Sequence, residues 1–371
     1  MSENRIKALI AETFLEVADA LETGQYGKKP VIGFASEGSE HGEDNIKRAM
    51  ELAAGKGLEA RLIEGEEIHK QMEALLDSGE IDAAVTMHYP FPIGVSTVGK
   101  VITPGMGRPM YLATTTGTSD TDRIVGMVKN AIYGIIAAKA DGIANPTVGI
   151  ANIDGARQTE KALLKLKEQG YEINFAESAR SDGGIVMRGN DLLSGTSDIM
   201  VMDSLTGNLM MKIFSAYTTG GNYESLGFGY GPGIGDGYDR LIMIVSRASG
   251  APVIAGAMEF ATNLVKHNWK QIAKDEFVKA KAAGIDSIIE ELKNGGKKEA
   301  AADEVQTPAK EVCTAQIPGI EVMDLEDAVK TLWKAGIYAE SGMGCTGPIV
   351  LMAEDKKAKA YEILKAAGYV G

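Results

Sequence analysis

Short apolar runs alternate with helical periodicity along most of this chain, and this alternation limits its possible folds more than any other feature. Turn signals and usually helical patterns follow the β-rich runs, which are Val31–Phe34, Leu58–Ile63, Ala83–Met87, Met110–Ala113, Val148–Ala151 and Ile199–Met202. Parallel strands joined by helices produce this order. The sequence therefore predicts an α/β fold in which helices cover both faces of a mostly parallel sheet.

Ligands of such sheets bind beyond the carboxyl ends of the strands. The loops that leave the predicted strands are therefore the expected location of a site. These loops are Ser36–Ser39, Thr114–Asp120, Asn152–Gly155 and Ser204–Asn208.

The composition changes abruptly after a long helix predicted over Trp269–Lys293. The residues that follow are rich in Gly, Ala, Lys and Glu, which is typical of a linker. We predict an α/β domain of residues 1–293, a linker of residues 294–318 and a cysteine-bearing α/β module of residues 319–371. About fifty residues make a thin core, so we expect this module to dock on the main domain or on another chain.

Charge and cysteine content exclude several classes of protein. The 51 acidic and 38 basic residues give a net charge of −13, which argues against nucleic-acid and anionic-membrane partners. The chain shows neither an 18-residue apolar window nor the apolar core of a secretory signal. Two cysteines cannot build a disulfide framework or a cysteine-based zinc cluster, and the four histidines lack metal-ligand spacing. We expect a cytoplasmic protein without a metal or cofactor.

A single thiol, Cys345, lies among glycines in Ser341–Pro348, just before an apolar run. Glycines clear space around the sulfur, and a glycine-rich turn supplies N–H groups for a developing oxyanion. We therefore predict Cys345 as a nucleophile, with a buried packing cysteine as the alternative. Cys313 lacks the glycine setting and is a weaker candidate.

A second candidate site lies in Asp198–Lys212, which is predicted as a buried strand, a turn and the start of a helix. Free N–H groups at a helix N-terminus bind phosphate well. Asp203 is placed to orient a hydroxyl or the turn, and Asn208 to donate to an oxygen anion. Helix capping by Thr206 or Asp203 explains the same pattern, so both interpretations stay open.

Arginine supplies the other candidate contacts. Arg247 follows Ser246 at the end of a predicted strand and offers a bidentate fork to phosphate, although a surface salt bridge is the simpler interpretation. Arg188 is a further cation near a predicted loop. The run Gly227–Gly237 alternates glycine too regularly for a strand or a helix, and predicts a mobile or closely packed loop.

The stretch Asp191–Asn208 resembles the phosphate acyltransferases of bacterial phospholipid synthesis and, more distantly, the phosphate acetyltransferases. It is similar to their pattern D-(I/V)-L-x-G-x-x-D-(V/I)-x-V-x-D-x-x-(T/S)-G-N. The tail around Gly344–Pro348 resembles the alpha subunits of component C of the glycine, sarcosine and betaine reductase complex. Those subunits join such a domain to a cysteine-bearing extension.

The resemblance implies a three-layer α/β/α fold and an acyltransferase that forms acetyl phosphate in amino-acid fermentation. An acetyl group carried on a cysteine thioester would be cleaved by inorganic phosphate. The implied partners are phosphate and acetyl phosphate, the beta subunit of component C and the selenoprotein component. The implied catalytic residues are Cys345, Asn208 and Asp203, and the implied phosphate or substrate contacts are Thr206, Gly207, Ser246, Arg247 and Arg188.

One residue departs from the phosphate acetyltransferase pattern. Those enzymes carry an aspartate seven residues beyond the serine, where this chain has Val253. An acyl group already on a protein thiol needs no base to deprotonate coenzyme A, so this loss is compatible with the implied reaction. Two alternatives remain: a free-standing phosphate acetyl- or butyryltransferase that uses acyl-coenzyme A, and a non-catalytic scaffold subunit of an acyltransferase complex.

Overall fold

The computed structural model describes residues 7, 13–14, 17–18, 29–180, 183–299, 305, 307–320, 324–344 and 347–370. The chain divides into two units, one of residues 1–152 and 156–289 and the other of residues 153–155 and 290–371. The predicted boundaries at residues 293 and 318 stay predictions.

The larger unit is built on a sheet that has eleven strands among the described residues. The strands are β1 Val31–Ala35, β2 Glu59–Ile63, β3 Ala83–Thr86, β4 Val95–Ile102, β5 Pro109–Thr118, β6 Thr147–Ala151, β7 Asn174–Phe175, β8 Val186–Met187, β9 Ile199–Val201, β10 Gly231–Ile234 and β11 Ile242–Ile244. Their order is β2-β1-β3-β11-β10-β4-β5-β9-β6-β7, and β8 pairs with β6. The predicted α/β fold class is confirmed.

The helices of this part are α1 Gly42–Gly55, α2 Ile68–Ser78, α3 Arg123–Ala140, α4 Ala156–Glu168, α5 Gly189–Ser194, α6 Ser204–Ala216, α7 Ala251–Lys266, α8 Trp269–Ala282 and α9 Ile285–Glu299, of which α9 continues into the smaller unit from residue 290. The long helix predicted over Trp269–Lys293 is instead two helices, because Gly284 adopts a left-handed φ of 81° between them. In the described ranges, no helix combines the length and apolar character needed to cross a lipid bilayer.

The sheet consists of two parallel halves that run in opposite directions. Strands β1, β2, β3 and β11 are mutually parallel, as are β5, β9, β6, β7 and β8. Strand β10 is antiparallel to both β11 and β4, and β4 is antiparallel to β5. The reversal of strand direction therefore lies in the middle of the sheet, at β10 and β4.

The glycine-rich run Gly227–Gly237 contains β10, so the prediction that it holds no strand is wrong. A Cβ on Gly231 would lie 1.7 Å from the Val98 carbonyl oxygen, and one on Gly233 would lie 2.3 Å from the Phe91 ring. Only glycine allows these neighbours to approach so closely. The same glycines remove the alternation of side chains by which a strand is usually recognised, while the close packing we predicted is confirmed.

The smaller unit contains β12 Ala315–Pro318, α10 Leu325–Lys334, β13 Ala339–Gly344, β14 Gly347–Met352 and α11 Lys357–Ala366. Strand β14 pairs antiparallel with both β12 and β13, and helices α10 and α11 pack together. Its core includes Ile317, Leu332, Val350 and Leu364, all buried. In this module the sequence predicts a strand at 320–322, a helix over Leu325–Lys334 and a strand over Ile349–Met352. The helix and the second strand are confirmed, whereas β12 lies within the residues that we assigned to the linker. The strand that we expected at 320–322 falls largely outside the described residues.

Candidate functional site

A cavity of about 370 Å³ lies beyond the carboxyl ends of β1, β3 and β11. The residues that line it come from both halves of the sheet: Glu40, Met87, His88, Tyr89, Thr116, Asn208, Lys212, Tyr230, Ile244, Val245, Ser246 and Arg247. We call this space the central cavity. It contains three of the predicted site residues, namely Asn208, Ser246 and Arg247.

Helix α6 brings residues of one half of the sheet to the other half. It follows β9 and packs against β5 and β4. Its Lys212 Nζ donates to Ser246 Oγ at 2.9 Å. Asn208 lies one turn earlier on the same face of the helix and lines the same cavity. In the part of the chain that the structure describes, no hydrogen bond engages the Asn208 amide, so its donors are available to a ligand.

Arg247 provides a second positive charge at the central cavity. Its side chain is exposed and lies against Gly38, where a Cβ would come within 3.2 Å of Nε. Arg247 makes no ion pair with a described residue, so the salt-bridge interpretation finds no support there. The hydroxyl of the neighbouring Ser246 accepts hydrogen bonds from the Ala248 N–H at 3.1 Å and from Lys212.

Glu224 does not line the central cavity itself, but it binds Lys212, which does. The carboxylate is completely buried and forms an ion pair with Lys212 Nζ at 2.8 Å. It also accepts hydrogen bonds from the Tyr230 hydroxyl at 2.9 Å and from Ser249 Oγ at 2.7 Å. Burial, followed by the nearby Glu224 carboxylate, raises the pKa of Tyr230, so this phenol stays protonated.

Asp203 lies at the N-terminus of α6 and acts there as the helix cap. Its carboxylate accepts from the N–H groups of Leu205 and Thr206 at 3.0 Å each, and from Thr206 Oγ1 at 2.7 Å. Arg123 forms an ion pair with it at 2.9 Å. Burial alone would raise the pKa of Asp203, but the hydrogen bonds from Thr206 and the Arg123 guanidinium outweigh burial and lower it. Of the two interpretations left open by the sequence, capping is the one observed.

A smaller cavity of about 200 Å³ adjoins this capped helix end. Thr114, Ser119, Asp120, Arg123 and Ser204 are among the residues that line it. The Thr114 hydroxyl is buried there without a hydrogen-bond partner among the described residues. Thr114, Ser119 and Asp120 come from the predicted loop Thr114–Asp120 and Ser204 from the predicted loop Ser204–Asn208, whereas Arg123 lies outside the predicted loops.

Gly207 and Arg188 occupy positions that differ from those of the other predicted contacts. Gly207 is buried, its N–H donates to the Asp203 carbonyl at 2.9 Å, and an added Cβ would lie 1.7 Å from the Thr114 carbonyl oxygen. It therefore permits α6 to pack directly on β5. Arg188 is exposed at the start of α5 and does not line the central cavity.

Residues 17–351 match the model of a protein family described as fatty acid synthesis protein. The chain belongs to this family. It is 58% identical to the glycine/sarcosine/betaine reductase complex component C subunit alpha of Peptoclostridium acidaminophilum, over 98% of this chain and 99% of that protein. The predicted resemblance to those subunits is confirmed.

Two further relatives are phosphate acyltransferases. The one from Bacillus licheniformis is 27% identical over 57% of this chain and 67% of that protein. The one from Streptococcus pyogenes serotype M6 is 29% identical over 38% of this chain and 42% of that protein. The phosphate acyltransferase likeness thus covers part of the chain, whereas the likeness to the component C subunit covers nearly all of it.

The predicted nucleophile Cys345 lies outside the described residues, in the chain between the end of β13 and the start of β14. Cys313 is described and partly buried. Burial, and then the nearby Glu340 carboxylate, raise the pKa of the Cys313 thiol, so the protonated form is favoured. A protonated thiol is a poor nucleophile, which leaves Cys345 as the better candidate of the two.

Sequence reasoning missed several residues of the central cavity, notably Lys212, Tyr230 and His88. Lys212 was detectable, because it follows Asn208 by four residues and therefore shares its face of the helix. Among the described residues, no group of three or more His, Cys, Asp or Glu side chains is arranged to hold a metal ion.

Proposed function

We propose that this chain transfers an acetyl group from a cysteine thioester to inorganic phosphate and so forms acetyl phosphate. The observation that supports this proposal is the central cavity, where Lys212, Arg247 and the Asn208 amide converge in a protein with a net charge of −13. Two cations and a free amide donor suit a small dianion. Electrostatic attraction of this kind is strongest in a partly enclosed cavity.

The reaction balances without a cofactor. A phosphate oxygen attacks the thioester carbonyl carbon of acetyl-Cys345, and the carbon–sulfur bond breaks as the tetrahedral intermediate collapses. The acetyl group leaves on phosphate, and the proton of hydrogen phosphate passes to the thiolate. Catalysis then requires positioned phosphate and donors for the oxyanion, which Arg247 and Asn208 would supply.

The absence of a base at Val253 agrees with this chemistry. Val253 is completely buried in α7, so the position seven residues beyond Ser246 carries an apolar side chain and not a carboxylate. A thiolate leaving group needs no general acid as strong as an amine or alkoxide would require. Transfer from a protein thioester is therefore the acyl-transfer reaction that this set of residues supports best.

The relative that matches nearly the whole chain is a subunit of a reductase complex, which supports the partners implied by the sequence resemblance. We infer that this chain is likewise an alpha subunit of component C, which works with a beta subunit and with a selenoprotein component of a reductase complex. The segment 319–371 would carry the acyl group on Cys345. The segment 300–314, which lies between α9 and β12 in the chain, would act as a tether and keep the effective concentration of the acyl group high at the central cavity.

Replacement of Cys345 tests this function directly. We expect purified chain incubated with acetyl phosphate to gain one acetyl group, which peptide mapping assigns to Cys345. Cys345→Ala and Cys345→Ser should both abolish arsenate-dependent breakdown of acetyl phosphate, because arsenate replaces phosphate and its acetyl ester hydrolyses spontaneously.

Cys313→Ser is the matched control, since it removes the other thiol, and it should retain full activity. Full activity in Cys345→Ala would contradict the covalent route. Exchange of acetyl groups between phosphate and coenzyme A by that variant would replace the proposal with a free-standing phosphate acetyltransferase. A wild-type chain that neither becomes acetylated nor turns over acetyl phosphate would indicate a scaffold.

A further inference from the structure

Glu224 is a fully buried carboxylate immediately behind the central cavity. Its side-chain partners among the described residues are all donors: Lys212 Nζ at 2.8 Å, the Tyr230 hydroxyl at 2.9 Å and Ser249 Oγ at 2.7 Å. Burial of a charged group is unfavourable unless its partners compensate for the lost water. A buried carboxylate at this position therefore costs desolvation free energy that a neutral side chain would not, which points to a role beyond stability.

The backbone of Glu224 also holds the loop that carries Ser246 and Arg247. The Glu224 N–H donates to the Ala248 carbonyl at 3.0 Å, and the Gly250 N–H donates to the Glu224 carbonyl at 2.8 Å. Ser249 Oγ in turn accepts from the Ser246 N–H at 3.0 Å. One residue thus fixes both the loop after β11 and, through its side chain, the lysine on α6.

The donors around residue 224 are best satisfied by a carboxylate. One oxygen receives Lys212 and Tyr230, and the other receives Ser249. A glutamine would present an NH₂ group to one of these donors and would lack the charge that holds the ammonium. Lys212 is half exposed, so without Glu224 its long side chain would be free to turn toward solvent.

We propose that Glu224 is a positioning residue that holds Lys212 against Ser246 and so sets the cationic edge of the central cavity. This inference rests on the proposed function and extends it to a residue that does not touch the ligand. Misplacement of a binding group by about 1 Å costs on the order of 10² in rate, which is the effect we expect when Glu224 is neutralised.

The test compares Glu224→Gln, Lys212→Met and the double variant in the full-length chain. We expect Glu224→Gln to lower kcat for arsenate-dependent acetyl phosphate breakdown by about 10²-fold. In the Lys212→Met background the same change should have little further effect, because the lysine that it positions is already gone. The rise in melting temperature on addition of inorganic phosphate should follow the same pattern.

Glu276→Gln is the matched control. Glu276 is also a buried carboxylate with lysine and tyrosine partners, Lys139, Lys279 and Tyr171, but it does not line the central cavity. Its loss should reduce the melting temperature and leave kcat and KM unchanged. If Glu224→Gln does not fold, Glu224→Asp carries the test, since it keeps the charge and withdraws the carboxylate by one methylene.

Two results would overturn the proposal while leaving the proposed function intact. One is wild-type kinetics and phosphate stabilisation in Glu224→Gln. The other is an equal loss from Glu224→Gln in the presence and absence of Lys212, which would mean that the residue supports only the fold. A wild-type chain with neither turnover nor phosphate stabilisation would instead refute the proposed function, and this inference with it.

Discussion

Helix α6 carries two polar clusters on successive turns, and they differ in what remains available to a ligand. At the first turn, the carboxylate of Asp203 is occupied by two N–H groups, the Thr206 hydroxyl and Arg123. On the following turns, Asn208 and Lys212 face the central cavity beside Ser246 and Arg247. The first cluster is closed by its own contacts, and the second opens onto a space of about 370 Å³.

Asp203 therefore stabilises the helix that carries the candidate site, whereas Asn208 and Lys212 are available to bind a ligand. A helix N-terminus attracts phosphate through N–H groups that lack partners. Once Asp203 has capped those groups and brought its own negative charge, the same position no longer favours an anion. We therefore propose that the phosphate site of the motif lies further along α6, at Asn208 and Lys212, which follow Asp203 by five and nine residues.

The largest effect that would sharpen this comparison is expected for Arg247→Met. The guanidinium is exposed and without an ion-pair partner among the described residues, so its loss removes charge from the cavity and little from the fold. We expect kcat/KM for phosphate to fall by about 10³-fold, because a charged donor to a developing oxyanion is stronger than a neutral one.

The melting temperature of Arg247→Met should stay close to that of the wild type, since most surface substitutions change stability by less than about 0.5 kcal/mol. Arg61→Met is the matched control, because Arg61 is exposed and pairs with Glu80 away from the cavity. A similar loss of activity in both variants would show that overall charge, and not the cavity, attracts phosphate.

Asn208→Ala should have the next largest effect. It removes one neutral donor from the cavity, and the loss of such a donor to an oxyanion costs about 10² to 10³ in rate. We expect a fall near the lower end of this range, measured as kcat with arsenate or phosphate. Unchanged turnover and unchanged phosphate dependence would mean that the whole motif, including Asn208, serves only to build the fold.

Strands and helices were predictable from the sequence where a local pattern of apolar residues and turn signals marks them. Val31–Phe34 is a continuous apolar run with turn signals around it, so strand β1 was found. Strand β10 was missed because Gly231 and Gly233 meet neighbours that lie far away in the sequence. Strand β4 was missed because Gly99 and Lys100 interrupt its apolar pattern.

The residues that line the central cavity were predictable to the same extent. Ser246 and Asn208 lie next to strand ends and turns, where residue type and position together indicate a ligand contact. Glu224 gave no such signal, because its partners Lys212 and Ser249 are 12 and 25 residues away in the chain. A buried charge network is a property of the folded chain, and local pattern does not encode it.

Gly207→Ala tests whether the glycine of the motif binds phosphate or permits packing. Its Cβ would overlap the Thr114 carbonyl oxygen, so α6 would have to move away from β5. Overpacking of this kind costs roughly 1–3 kcal/mol, which should appear as a lower midpoint in chemical denaturation. A fully stable variant with impaired phosphate dependence would show instead that the backbone at this position contacts the ligand.

The smallest effect is expected for Asp203→Ala, and its pH dependence identifies the role of Asp203. Loss of an N-cap costs about 1 kcal/mol at neutral pH, and activity should fall less than in Asn208→Ala. The pKa of Asp203 is lowered in the folded protein, so its contribution to stability is present above the unfolded-state pKa. As the pH falls below about 4 and through the folded-state pKa, that contribution is lost. The difference in denaturation midpoint between wild type and Asp203→Ala should therefore be constant near neutrality and shrink in acid. A loss of activity in Asp203→Ala that equals the loss in Arg247→Met would place Asp203 in the chemistry and remove the distinction between the two turns of α6.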